Sequence, residues 1–153
     1  MSMLAHRLRH RLRGDGGSAV VEFVVLVVLV LVPVVYVVLA AMRVQAGAYA
    51  VTQAAREAGR AFVQADTAAQ AAADARRATA IALSDQGFTA RADSLRVDCG
   101  GRACLAPGSA VNVQVDLRVR LPFLPESLAD SSVGSVRVSA DYAVPVDDYR
   151  GAP

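Results

Sequence analysis

The most conspicuous pattern in the chain is an unbroken apolar run near its N-terminus. Positions 23–42 read FVVLVVLVLVPVVYVVLAAM and carry no charge. Twenty helical residues at 1.5 Å each cover about 30 Å, the thickness of the hydrocarbon core of a bilayer. The run predicts a transmembrane helix, which we assign to residues 18–42. A cleavable signal peptide, with an A-x-A-like site at Ala46-Gly47-Ala48, is disfavoured because the apolar run is too long.

Beyond Met42 the apolar positions recur at spacings of three and four residues, which indicates that the helix continues as a stalk. Its small side chains allow close approach of a second backbone, either in a partner helix or in the chain's own sheet. The sequence favours neither alternative. The predicted helix-packing stripe consists of Val44, Ala48, Val51, Ala55, Ala58 and Phe62.

A second helix is predicted after a polar break at positions 64–67. Thr67-Ala68-Ala69-Gln70 has the form of a capping box, in which the threonine side chain caps the helix N-terminus. The helix should end near Ser84, before the turn sequence Asp85-Gln86-Gly87. We assign residues 43–92 to Ala-rich helices.

From Ser94 the apolar period changes to two, the period of half-buried strands. Three such runs occur, of which the longest extends from Val111 to Leu121. They predict a small three-stranded antiparallel sheet with one face against the Ala-rich helices. We therefore expect an α+β fold, with a β-rich region at 93–153 that includes a polar loop and a C-terminal tail.

Charge is unevenly distributed along the chain. Residues 1–17 carry four arginines and one aspartate, whereas residues 18–153 carry twelve arginines and thirteen acids. Positive charge just before an apolar helix keeps that end in the cytoplasm. We therefore expect a single-pass protein of the cytoplasmic membrane, with a basic cytoplasmic leader at 1–17 and an extracytoplasmic C-terminal part. This clustering argues against a nucleic-acid partner.

Composition limits the chemistry of the exported part. Both histidines, His6 and His10, lie in the leader, so Ser-His-Asp and Cys-His catalysis are excluded beyond the membrane. We expect no enzymatic activity, no cofactor, no metal and no small-molecule substrate. Cys99 and Cys104 flank a Gly-Gly-Arg-Ala turn, and outside the cytoplasm this spacing favours a disulfide that makes the turn rigid.

The junction before the apolar run reads Gly16-Gly17-Ser18-Ala19-Val20-Val21-Glu22-Phe23. At headgroup depth in the first helical turn, the glutamate costs little, because the helix dipole favours an acid there. The basic leader, the glycine, the Glu-Phe pair and the apolar helix together resemble the prepilin-peptidase site of type IV pilin-like proteins. The resemblance implies cleavage after Gly17, which makes Ser18 the N-terminus and Glu22 and Phe23 its fifth and sixth residues.

Within the pilin-like proteins, the chain resembles the TadE/TadF family of the Tad (Flp) pilus system. The similarity covers the junction, the valine-rich span, Ala54-Ala55-Arg56-Glu57-Ala58-Gly59-Arg60 and the β-rich C-terminus. It implies a pseudopilin or minor pilin whose partners are a prepilin peptidase, other pilin-like subunits and the Tad assembly machinery. After the arginine the family more commonly has Glu-Gly-Ala-Arg, whereas this chain has Glu-Ala-Gly-Arg. The resemblance therefore does not decide between TadE, TadF and an unnamed relative.

The resemblance also implies a role for Glu22. In a bundle of pilin-like helices, its carboxylate can pair with the Ser18 amine of a neighbouring subunit, and because an unpaired charge in an apolar bundle is expensive, the pair would fix the axial register. The alternative is an unprocessed single-pass anchor that presents a small extracytoplasmic protein-binding domain.

Overall fold

The computed structural model describes residues 15–125, 127, 131 and 134–149, with only the backbone for residues 15–18. Most of the predicted leader, residues 1–14, therefore lies outside the described residues. The chain divides into two compact units, Met1–Leu39 and Ala40–Pro153. Two helices precede an antiparallel sheet, which confirms the predicted α+β class. The elements are α1 (Asp15–Gln64), α2 (Ala68–Asp85), β1 (Leu95–Asp98), β2 (Ala110–Arg120) and β3 (Ser135–Pro145).

The described part of the first unit is the N-terminal portion of α1. The helix begins at Asp15, three residues before the predicted start, and continues through Pro33. From Ala19 to Leu39 every side chain is exposed except Tyr36, which is half-buried. Nothing in the described part of this unit therefore covers its apolar side chains.

The boundaries of α2 follow from local hydrogen bonds. The Thr67 hydroxyl accepts a hydrogen bond from the backbone N–H of Gln70 at 3.3 Å, which confirms the predicted N-cap. At the other end, Gly87 has φ +72°, and the N–H of Phe88 donates to the Leu83 carbonyl at 3.0 Å. A glycine with positive φ followed by this hydrogen bond is a Schellman motif. The helix therefore ends at the turn sequence, as predicted.

The sheet has the order β1-β2-β3, and both pairs of strands are antiparallel. β2 therefore lies at the centre, and its alternate side chains face the core as the period of two predicted. β3 buries less, since only Val144 is fully buried there. The core-facing residues of β2 are Val111, Val113, Val115, Leu117 and Val119.

The core of the second unit lies between the sheet, α2 and the portion of α1 that belongs to this unit. Two glycines bring α1 close to the sheet. A Cβ at Gly47 would overlap a methyl group of Val119, and one at Gly59 would lie 3.1 Å from the Tyr142 ring. Since β2 ends near Gly47 and β3 ends near Gly59, β2 runs antiparallel to α1.

Candidate functional site

The residues of the predicted cleavage site, and those predicted to set the register of assembly, lie near the start of α1. Gly17 and Ser18 are helical, and their surroundings are outside the described side chains. Glu22 is exposed and lies one helical turn beyond Ser18, and Phe23 is 66% exposed. The helix begins seven residues earlier, at Asp15, so Glu22 does not lie in the first turn, where the helix dipole favours an acid. Its carboxylate is instead exposed at the edge of the apolar run.

The apolar run that follows is the largest exposed hydrophobic surface in the described part of the chain. Its most apolar 18-residue window has a mean hydropathy of 3.3 and no buried residue. Soluble proteins rarely leave apolar patches of more than a few hundred Å² uncovered. Within the described residues, α1 is the one helix long and apolar enough to cross a membrane.

The helix-packing stripe lies mainly in the chain's own core. Its four outer members, Val51, Ala55, Ala58 and Phe62, are buried against the sheet and α2. The sequence left open whether a partner helix or the chain's own sheet covers the stripe, and for these residues the structure shows the latter. The sequence also missed Gly47 and Gly59, because a glycine carries no hydrophobic signal.

The stripe is different at its inner end, where Val44 is half-buried and Ala48 is exposed. The reason lies in the length of α2. Gln53 shares a shallow cavity with Asp85 at the end of α2, so α2 reaches α1 only from about this level outward. Ala48 lies more than one turn closer to the N-terminus and has no helix beside it. At this end the described chain therefore leaves the predicted stripe partly uncovered.

Cys99 and Cys104 form a disulfide, with their Cα atoms 5.0 Å apart. Between them, Gly100 and Gly101 both have positive φ, which glycine adopts without steric cost. The Asp98 carboxylate accepts a hydrogen bond from the Gly100 N–H at 3.0 Å. The predicted pairing therefore holds the connection after β1 in a tight local turn.

Arg43 makes a contact that the sequence did not indicate. Its guanidinium donates to the Gly87 carbonyl at 3.1 Å and lies 4.3 Å from the centre of the Phe88 ring. Phe88 is part of the core, so this cation–π contact attaches the first turns of α1 in the second unit to the loop after α2. Arg43 lies 44 residues before Gly87 in the sequence, so only folding brings it to this loop.

The described residues include no cluster of three or more histidine, cysteine, aspartate or glutamate side chains that could hold a metal ion. Their ion pairs are Arg77–Asp74 and Arg91–Asp93, both at the surface. The features available for function are therefore the exposed apolar helix with its terminal carboxylate and the surface of the α+β unit. Comparisons with protein-family models, curated proteins and solved structures found no match for this chain.

Proposed function

We propose that the chain is a TadE/TadF-like pseudopilin of a Tad-type pilus or secretion system, anchored in the cytoplasmic membrane by α1. One observation carries the proposal. A single carboxylate, Glu22, directly precedes the exposed apolar run at 23–42 and lies five residues after Gly17. The basic leader places the N-terminus in the cytoplasm and the second unit outside it.

The energy of insertion supports membrane anchoring. The run at 23–42 contains ten valines, four leucines and Phe23. At roughly 0.3 to 0.6 kcal/mol each, these residues favour the membrane by about 4 to 9 kcal/mol. Glu22 precedes this run and lies at headgroup depth, where a carboxylate costs far less than at the bilayer centre. The helix can therefore span the membrane while its carboxylate stays outside the hydrocarbon.

Assembly would use the same helix. Cleavage after Gly17 creates an α-ammonium on Ser18, about 6 Å along the helix from Glu22, since four residues rise 1.5 Å each. A neighbouring helix shifted by this distance brings the amine of one subunit beside the carboxylate of the next. Because an unpaired charge in an apolar bundle is expensive, this shift is favoured over others.

The fold limits where partner helices can pack. Val51, Ala55, Ala58 and Phe62 are buried in the second unit and are not available to another subunit. The contacts between pilin-like subunits would therefore lie along 23–42, where the apolar side chains are uncovered. The second unit would then be free to meet other parts of the assembly machinery.

A zero-length cross-link tests the pairing directly. A carbodiimide joins an amine to a carboxylate only when the two are in contact. The chain has no lysine, so the mature N-terminus is its one primary amine. We expect treated membranes to yield dimers in which mass spectrometry finds an amide between Ser18 of one subunit and Glu22 of another.

Three variants control the cross-linking experiment. Glu22→Gln should abolish the dimer, whereas Glu57→Gln, which removes another glutamate of the described chain, should leave it unchanged. Gly17→Leu should block processing and so also prevent the Ser18 cross-link. Dimers that persist in Glu22→Gln, or a processed protein that never cross-links, would refute the register role.

A further inference from the structure

A concentration of arginines lies at one end of the sheet. Two neighbouring cavities of the second unit share Arg91, Leu117 and Arg118 in their walls. The described acids that line them are Asp93 and Asp116. Among the described residues, positive charge therefore exceeds negative charge around both cavities. The arginines in their walls are Arg43, Arg91, Arg96, Arg118, Arg120 and Arg137.

Two of these arginines stand in an unfavourable arrangement. Arg118 and Arg137 are directly opposite each other in the β2–β3 register, and both are exposed. Like charges in directly opposed positions destabilise a sheet. Among the described residues, neither arginine has an ion pair. Asp93, which lines the same cavity, pairs with Arg91 at 3.7 Å. A negative charge from outside the chain would relieve this repulsion.

The cluster lies at the end of the sheet that packs beside the first turns of α1 within the second unit. Val119 packs on Gly47, and Gly47 is five residues beyond Met42, a rise of about 7.5 Å along the helix. Arg43 follows Met42 directly and lines the same cavity as Arg118 and Arg120. The arginines are therefore close to the level at which the apolar run ends.

An exposed aromatic side chain accompanies the charges. Phe123 follows the end of β2 by three residues, is 83% exposed and has φ +61°. A left-handed conformation is sterically unfavourable for a residue with a Cβ, so the surroundings must hold it. The Leu121 N–H donates to the Gly134 carbonyl at 2.9 Å and closes the base of this loop. Phe123 is therefore a large exposed apolar group at the same end of β2 as Arg118 and Arg120.

We propose that this arginine end of the sheet binds the phosphate headgroups of acidic phospholipids in the outer leaflet, with Phe123 inserted at the interface. The inference rests on the membrane anchoring in the proposed function. A guanidinium group can donate two parallel hydrogen bonds to the oxygens of one phosphate. Aromatic rings favour the membrane interface. Each arginine near an anionic surface raises the ratio of docked to undocked domain roughly fivefold.

Lipid docking has a structural consequence for the exported unit. A helix that crosses the membrane leaves its domain free to rotate about the helix axis relative to the other subunits. Binding of the arginine end to headgroups would fix which face of the unit points away from the bilayer. The positive-inside rule is not violated, because it counts charges close to the helix in sequence, and Arg118, Arg120 and Arg137 are far along the chain.

Tryptophan fluorescence tests the docking, since the chain contains no tryptophan. The full-length Phe123→Trp variant is placed in lipid nanodiscs that are either zwitterionic or contain phosphatidylglycerol, each with brominated lipids as quenchers. We expect blue-shifted emission and strong quenching in the acidic discs. Changing both Arg118 and Arg137 to Gln should reduce the docked-to-free ratio by roughly an order of magnitude, as should high salt.

Two further tryptophans provide the controls. Tyr149→Trp reports on a 97% exposed position beyond Pro145, which pairs with Ala110 at the opposite end of β2, and it should stay unquenched. Tyr36→Trp lies within the apolar run and should be quenched in every disc. If Trp at 36 is quenched and Trp at 123 behaves like Trp at 149, lipid docking is wrong while membrane anchoring stands. If Trp at 36 is not quenched, the anchoring itself fails.

The remaining outcomes separate other ligands from lipid. Loss of the dependence on acidic lipid when inorganic phosphate is added at constant ionic strength would assign the cluster to a free anion and overturn the proposal. A blue shift that needs another pilus protein, and that does not occur in acidic discs alone, would assign it to an acidic protein partner and would equally overturn it.

Discussion

The contact between Gly47 and Val119 makes a quantitative prediction about how α1 packs on the sheet. In the Gly47→Ala variant, the new Cβ would overlap Cγ2 of Val119, so helix and strand must move apart. Overpacking of this kind costs about 1 to 3 kcal/mol. Alanine at a helical position contributes about 1 kcal/mol relative to glycine. The variant should therefore be less stable than the native chain by about 1 kcal/mol.

In the Val119→Ala variant, Gly47→Ala should change the free energy of unfolding in the opposite direction. The next atoms that the new Cβ would meet are Cγ2 of Val138 at 3.5 Å and Cβ of Val119 at 3.6 Å, which are ordinary contacts. In the Val119→Ala background, Gly47→Ala should then stabilise the protein by about 1 kcal/mol through helix propensity alone. The coupling energy between the two positions should be about 2 kcal/mol.

Urea unfolding of the full-length chain in detergent, followed by pulse proteolysis, measures all four proteins of this cycle. Ala48→Gly is the matched reference for helix propensity, because Ala48 is exposed and adjacent in sequence. It should cost about 1 kcal/mol in either background. Equal effects of Gly47→Ala in the two backgrounds would show that the helix does not lie this close to β2.

Three other predictions concern single contacts. Thr67→Ala removes the cap of α2 and should cost about 1 kcal/mol, seen as faster hydrogen exchange in its first turn, with no change if the cap is absent. Replacing both Cys99 and Cys104 with serine opens a loop with a sequence separation of five and should cost about 2 kcal/mol by loop entropy, and unchanged urea stability would contradict this. Arg43→Ala removes its contacts with Gly87 and Phe88 and should cost about 1 kcal/mol in the same assay, compared with under 0.5 kcal/mol for exposed Arg56→Ala.

The sequence predicted those parts of the fold that depend on local periodicity and capping. The alternation along β2 predicted which face is buried. A shift of the strand by one residue would turn its five apolar side chains away from the core. Thr67 and Gly87 determined the ends of α2 through bonds that span only a few residues. The run at 23–42 was evident from length and charge alone.

Contacts between distant parts of the chain could not be read in this way. The sequence extended the stripe to Ala48 because it shows the helical period but not where α2 stops. It did not show that α1 lies close to β2 at Gly47, because this contact depends on a valine far along the chain, on β2. It also gave no sign that Arg43 lines the same cavity as Arg118 and Arg120. These features depend on tertiary packing, which has no local period.

The mature N-terminus tests the proposed function most directly. The chain is purified from membranes of cells that contain the prepilin peptidase, and its intact mass and N-terminal peptide are measured. The account predicts that the chain begins at Ser18, and that Gly17→Leu leaves the leader attached while Gly14→Leu, a change of equal size within the leader, does not. A chain that retains Met1 or Ser2 would contradict the pilin-like function and favour an unprocessed anchor, and one that begins after Ala48 would identify the apolar run as a cleaved signal.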